Sequence, residues 1–481
     1  MRFIGTVPLL LTAMACSAVD TGSPESSESE LGAIQEASRH CDEPTVIKIG
    51  ALVDQTGTST SPHFTYAVEL AFAQMNEALS YGAGNNEYPE FVPVFGDTKS
   101  TPAIARDLAL NMINVEKVHA IVGDSSGDSV QVNRLNYDTS GTTIRKVPMT
   151  CFQCSSGFFN NPTATDPDPL TQLGFRDPDN WMFRVFFNAG YEAVVMLRIA
   201  MQNNNGDVNG DGLFKIDIYN DGGHASSAEG LIAALPALHP GPSSWERFTY
   251  TTPANIGADL PKLTDSLNES TVPPTNDGLP DTVLVAALPG AVTPVVEQYR
   301  AAGYTIPLQS VNAFRRDYIL ASVGSIANGL EGSSVAAADD SPSGDAFISA
   351  FEDEFGAPPE LTSSGAYDSA VTLMLATLVA QHKRGGRADL VTPADIREGL
   401  TKINDPKGTI IRPTVKDFKK AAKFILQGKK INYQGAFDPI DWDAAGDMFP
   451  PIVHWKVENG QFVEYERYDC TPATPDCPVI P

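Results

Sequence analysis

The sequence predicts an α/β fold of two doubly wound parallel sheets, and three observations predict it. Strand-like and helix-like periods alternate from residue 46 to residue 150. The same alternation restarts after Phe183 and runs to residue 311. Small-residue loops, above all GDSSGDS at 123–129 and CFQCSS at 151–156, follow strand-like runs, which is where open parallel sheets present ligand loops. Two such halves in one chain imply two lobes with a cleft between them.

VIKIGALV at 46–53 is the first strand, and Asp54 begins the loop after it. Pro62 opens a helix in which Val68, Ala71, Phe72, Met75 and Leu79 recur at helical spacing. Residues 91–95 form the second strand. Thr101 and Pro102 then supply an N-cap and a first-turn proline, with Ala105, Leu108, Met112 and Val115 as the buried stripe. Residues 119–157 read as one βαβ unit: an apolar run, a Gly/Ser/Asp loop, an apolar-periodic segment from Val130, a β-prone run at 147–150 and a second small-residue loop. The two loops should lie side by side, where hydroxyls and free N–H groups at a helix N-terminus suit a small polar or anionic ligand group.

In the second half, strands are expected at 213–219, 248–252, 282–288 and 306–311, and helices at 226–235, 258–267 and 293–303. Helices at 341–356 and 365–381 follow; the latter is apolar nearly all round and should be buried. Residues 392–403 and 414–428 are amphipathic. From residue 431 the chain alternates like a β-meander, with the turn signal Glu458-Asn459-Gly460.

The 481 residues carry 59 acidic against 33 basic side chains, a net charge of −26. That argues against nucleic acid and anionic membrane surfaces as partners, since both require basic patches. Arg2, the apolar run 3–14 and Ala13-Met14-Ala15-Cys16 describe an export signal over residues 1–15, too short to span a bilayer. The site is similar to a bacterial lipobox, with cleavage before Cys16 and a lipid on its sulfur; ordinary cleavage after Ala15 is the alternative. Residues 16–44 are Ser/Glu/Gly-rich and read as a disordered tether.

Export permits disulfides among Cys41, Cys151, Cys154, Cys470 and Cys477, and the odd count leaves at least one thiol outside intrachain pairs. Cys470 with Cys477 is the easiest loop to close. Cys151-Phe-Gln-Cys154 has redox-motif spacing without the redox context, and reads as a small loop-stiffening disulfide or two plain thiols. Asp207, Asn209 and Asp211, followed by Gly212, match the start of a calcium loop, but Ile218 stands where the bidentate glutamate belongs. The readings are a structural calcium or a solvated turn. No HExxH or phosphate-loop motif occurs, and nothing pairs a nucleophile with a base, so neither an enzyme nor a catalytic cofactor is expected.

Several segments in order carry a family likeness: IKIGALVDQTG, FGDTKSTPAIARDLALNMI, AIVGDSSGDS, KVPMTCFQCSS, MFRVFFNAG, DTVLVAALPGAVTPVVEQYRAAGY and GLEGSSVAAADDSPSGDAFISAFEDEFG, closed by INYQGAFDPIDWDAAGDM and VHWKVENGQFV. Over roughly 47–464 the set resembles type I periplasmic solute-binding proteins of ABC transporters, in their branched-chain amino acid group. The resemblance implies two lobes joined by three crossovers. The first lobe would be 45–185 plus 337–430, the second 186–336 plus 431–468, with a tail at 469–481. It also implies hinge closure over a small solute (an amino acid, amide or carboxylate), a membrane permease as partner and a lipid anchor as the membrane contact. A ligand-sensing receptor subunit of the same fold is the alternative.

By that resemblance Ser125 and Ser126 stand where the family's first serine loop holds a ligand carboxylate. Gln153, Cys154 and Ser155 stand in the loop after the next strand, which offers carbonyls and hydroxyls. His224 falls near the aromatic of the family's YG motif, and Pro289 and Asn312 follow later strands of the second lobe. One departure is expected to matter: amino-acid binders of this group have an acidic residue near the Asn312 position for the ligand's ammonium, and none is seen here. Trp181, Phe183, Phe314 and Tyr367 are aromatic candidates for the cleft wall, although the default for such residues is core.

Overall fold

Two sheets whose five parallel strands share one order organise the chain. The computed structural model describes residues 44–57, 61–80, 88–138, 141–156, 177–202, 204–208, 210–221, 224–250, 280–287, 289–301, 306–336 and 341–480. In the first sheet, β1 (Val46–Val53), β2 (Glu90–Asp97), β3 (Ala120–Ser125), β4 (Met149–Gln153) and β5 (Met182–Arg184) lie in the order β2-β1-β3-β4-β5, all parallel. In the second, β6 (Phe214–Asp221), β7 (Ser243–Tyr250), β8 (Thr282–Ala286), β9 (Leu308–Ser310) and β10 (Glu331–Val335) repeat it as β7-β6-β8-β9-β10. In each sheet the chain changes direction of travel across the sheet beside the first strand, and a parallel sheet leaves a crevice at its carboxyl edge there.

The predicted βαβ units form because β-branched strands alternate with helices that bury one stripe. Helix α1 (Pro62–Ser80) buries Val68, Ala71, Phe72, Met75 and Leu79, as its spacing requires. Helix α2 (Pro102–Asn111) starts at the predicted proline, but Thr101 does not cap it; its hydroxyl donates to the Lys99 carbonyl instead. Helix α3 (Ser126–Tyr137) is capped by Ser125, whose Oγ accepts from the Asp128 N–H at 3.2 Å. In the second half stand α4 (Ala189–Met201), α5 (Ala225–Leu238), α6 (Pro289–Ala301) and α7 (Asp317–Val323). The expected helix at 258–267 lies outside the described residues.

The chain then returns to the first lobe with α8 (Pro342–Phe355), α9 (Ser363–Lys383), α10 (Pro393–Leu400) and α11 (Val415–Leu426). Helix α9 is buried over most of its length and packs against α1 and α10, as its all-round apolarity predicts. Phe64, Phe72, Phe152, Phe347, Tyr367 and Met374 belong to the core it anchors.

Two boundaries differ from expectation. Residues 431–449 stay with the first lobe: β12 (Ile431–Tyr433) pairs in parallel with β11 (Thr409–Ile411) in a separate two-stranded sheet. The Tyr433 hydroxyl and the N–H groups of Ala436 and Phe437 converge on the buried Asp368 carboxylate of α9 at 2.6, 2.9 and 2.7 Å. Satisfying that carboxylate holds the segment there, so the last crossing follows residue 449 rather than 430. The tail 469–481 is not a separate appendage, because β15 (Val479–Ile480) pairs with β14 (Gln461–Tyr468). Strands β13 (Ile452–Glu458) and β14 form the predicted hairpin on the turn Asn459-Gly460, both with positive φ, and lie antiparallel beside β10. Disulfides join Cys470 to Cys477 and Cys151 to Cys154. Cys41 and Cys16 lie outside the described residues, as do 1–43 throughout.

Candidate functional site

The carboxyl edges of the two sheets face one cavity of about 280 Å³. Ser125, Ser126, Gln153 and Ser155 line it from the first lobe, and His224 and Asn312 from the second. Parallel register explains the first group: β1, β3 and β4 end level, so the loops at Asp54, Ser125 and Gln153 share one rim. Two bonds tie these loops together. Ser126 Oγ accepts from the Ser156 N–H at 3.1 Å, and Asp124 Oδ2 from the Asp54 N–H at 3.1 Å.

Cys154 does not belong to the wall. It is 1 % exposed, its sulfur bonded to Cys151 and packed into the core behind the loop, so it braces the neighbours Gln153 and Ser155 instead of meeting a ligand. Pro289 is the first residue of α6, but its side chain lies outside the described residues. The aromatic candidates Phe183, Phe314 and Tyr367 are fully buried core residues, and Trp181 is 8 % exposed. Asp207 turns both oxygens back on its own loop, accepting from Gly210 and Gly212 N–H at 2.8 and 3.0 Å, and Asp211 accepts from Leu213 N–H at 2.9 Å. Asn209 lies outside the described residues, among which no group of three or more His, Cys, Asp or Glu is placed to hold a metal ion.

On the second-lobe side, Glu192 of α4 grips Asn312. Its Oε1 accepts from the Asn312 backbone N–H at 2.8 Å and from Nδ2 at 3.1 Å. An acid does stand beside Asn312, 120 residues earlier in the chain, but it is 1 % exposed and bonded to Asn312 behind the cavity wall. Burial pushes Glu192 up to about 7 despite these bonds. His224 donates its N–H to Asp221 Oδ1 at 2.8 Å and sets its ring Nδ1 against the same oxygen. Burial alone lowers that imidazole, but Asp221, with Glu192 behind it, outweighs burial and holds its pKa above the ordinary value.

Residues the sequence did not single out complete the wall. Asp54, Asp124 and Asp128 enter from the ends of β1 and β3 and the first turn of α3. Burial, then the neighbouring Asp128, pushes Asp124 up to about 8; Asp128 is raised to about 6, mainly by burial. Arg316, from the segment between β9 and α7, reaches across to the first lobe. Its Nη1 donates to the Leu361 carbonyl at 2.9 Å and to Thr362 Oγ1 at 3.3 Å, and Gln153 Nε2 donates to that same Oγ1 at 3.0 Å. Thr362 holds φ +74°, a left-handed conformation costly for a β-branched residue, at the point where both lobes meet it. Beyond Arg316 the space between the lobes widens into a cleft of about 1240 Å³ bounded by Leu320, Pro359 and Phe462. The aspartates carried a signal, each standing in a loop after a parallel strand; Glu192 and Thr362 carried none.

Two sheets of order 2-1-3-4-5, exchanging the chain and closing on a cavity at their carboxyl edges, make this a type I periplasmic-binding-protein fold. Solved structures agree: a leucine-binding protein LivK of Thermotoga maritima has a TM-score of 0.62 at 18% identity, over 88% of this chain and 98% of its own. A solute-binding protein of an ABC transporter of Rhodopseudomonas palustris BisB5, in complex with 3,4-dihydroxybenzoic acid, has a TM-score of 0.60 at 17% identity, over 89% and 99%. An ABC transporter substrate-binding protein of Desulfitobacterium hafniense has 0.58 at 20% identity, over 87% and 100%. No family model and no curated protein matches the sequence.

Proposed function

We propose that this chain is the exported solute-binding component of an ABC-type transporter, capturing a small solute between its lobes and presenting it to a membrane permease. The observation that carries this is the cavity of about 280 Å³ whose wall is divided between loops of both sheets. A ligand touching both walls binds the closed arrangement better than an open one, and only such differential contact shifts the equilibrium between them. The solved structures of like fold include a LivJ in complex with isoleucine and a solute-binding protein in complex with benzoate, so the fold alone leaves the solute class open. The N-terminal signal pattern and Cys16 support export and a lipid anchor. Among the described residues no helix is long and apolar enough to cross a membrane.

The test is a thermal-shift screen of amino acids, amides, amines and aromatic acids, followed by native mass spectrometry of each hit. Ser126→Trp and Ser155→Trp fill the first-lobe wall and should abolish the ligand-induced shift while circular dichroism stays unchanged. Retention of the shift in both variants places binding elsewhere and refutes the reading.

A further inference from the structure

We propose that the interlobe cavity takes a solute bearing a positively charged nitrogen, an organic amine, guanidinium or quaternary ammonium, seated against Asp54, Asp124 and Asp128. This rests on the reading above that the cavity is the ligand site, and it narrows the solute to a chemical class.

Four features of the wall point there. First, the three carboxylates come from separate elements, and the parallel register of β1 and β3 brings the first two together at the cavity. Second, Asp124 is 3 % exposed and lines the cavity with a carboxylate only half used. One oxygen accepts from Asp54 N–H, and among the described residues nothing donates to the other. Third, the cations at the wall do not neutralise Asp124: burial and Asp128 push it up to about 8 even though the charge of Arg316 draws it down. Arg316 Nη1 bonds Leu361 and Thr362, and the His224 ring faces Asp221. Fourth, the N-terminus of α3, which by itself would attract an anion, already holds the Asp128 side chain in its first turn and spends its cap on Ser125.

A buried carboxylate facing a cavity is satisfied by a proton or by a counter-ion. A cationic nitrogen supplies the counter-ion and displaces the proton. A carboxylate ligand would instead be repelled as Asp124 and Asp128 lose their protons. On the opposite wall His224 is held by Asp221 and Glu192 by Asn312, and among the described residues Arg316 is the one positive group there that acts on Asp124. Tyr318, beside Arg316, is a further titratable group on the second-lobe rim. With Asp124 at about 8 and Asp128 at about 6, taking up a cation at neutral pH releases protons, so affinity for it rises from pH 6 to pH 8. An anion would show the opposite slope.

The experiment is isothermal titration of the full mature chain with 1,4-diaminobutane, guanidinium and tetramethylammonium, against acetate, benzoate and acetamide. It is run in two buffers of different ionisation enthalpy at pH 7, and again at pH 6 and 8. The expected result is binding of at least one cation with proton release, tighter at pH 8, and about hundredfold weaker in Asp124→Asn, whose near-identical shape keeps the fold. Asp128→Asn and a urea midpoint on each variant guard against misfolding. If no cation binds, or binding is unchanged in both variants, the charge assignment is overturned. If acetate, benzoate or acetamide binds and Ser126→Trp abolishes it, the cavity is the ligand site and the charge assignment alone is wrong. If a probe binds and Ser126→Trp leaves it intact, the cavity itself is the wrong site.

Discussion

Arg184→Met probes the staple that fixes the late segment of the first lobe against the serine loop after β4. Arg184 is 1 % exposed; its Nε donates to Asp447 Oδ1 at 3.0 Å and its Nη1 to the Ser156 carbonyl at 3.0 Å. Its backbone is engaged as well, the N–H donating to Gly446 O at 2.8 Å and the carbonyl accepting from Trp442 Nε1 at 2.7 Å. Methionine keeps the backbone bonds and much of the volume but removes the guanidinium. The Asp447 carboxylate then loses its counter-charge, and the Ser156 carbonyl loses a donor. Breaking a buried pair from one side costs about 3–5 kcal/mol. The Asp447 side chain keeps 12% exposure, so water solvates one edge and the lower end, about 3 kcal/mol, is expected. Removing both charges is far cheaper, and Arg184→Met with Asp447→Leu should return to within about 1–2 kcal/mol of the parent. Urea titration at pH 7 measures both, and the ligand-induced thermal shift should shrink in the single variant because Ser156 bonds Ser126. A single-variant loss below about 1 kcal/mol, or a double variant no better than the single, refutes the account.

Stability should fall as pH rises from 5 to 8. Asp368 at about 7 and Asp438 at about 8 are raised mainly by burial, so the folded state binds protons that the unfolded chain has released above pH 4, and that advantage is lost through those values. Asp438→Asn should flatten the melting temperature against pH, and an unchanged slope would contradict the assignment. Gly332→Ala places a Cβ 1.8 Å from the Ser310 carbonyl oxygen and 2.7 Å from Trp455 in the middle of the second sheet; a loss of about 3 kcal/mol by urea titration is expected. Replacing both Cys470 and Cys477 by Ser opens a short loop, and a loss of about 2 kcal/mol with solute binding unchanged is expected, because that disulfide lies at the far edge of the second sheet.

Much of the candidate site was legible because its signals are local. Ser125, Ser126, Gln153 and Ser155 sit in small-residue loops directly after β-branched runs, and a parallel sheet sends such loops to one edge whatever its partners. Cys154 shows where that reasoning stops: neighbours in one loop point alternately to the cavity and to the core, and only packing decides which.

What the amino-acid order determined by itself was the repeated strand-helix alternation, the buried α9, the hairpin turn at Asn459-Gly460 and the rim of serine loops. Each follows from periodicity or backbone preference within a dozen residues. What only the tertiary structure decided was charge and allegiance. It brought Glu192 under Asn312, gathered Asp54, Asp124 and Asp128 at one wall, carried Arg316 across to Thr362, and kept 431–449 with the first lobe through Asp368. The physical reason is that a carboxylate's partners and its protonation depend on how much water it loses and on what lies beside it in space, and neither is written into its sequence neighbours.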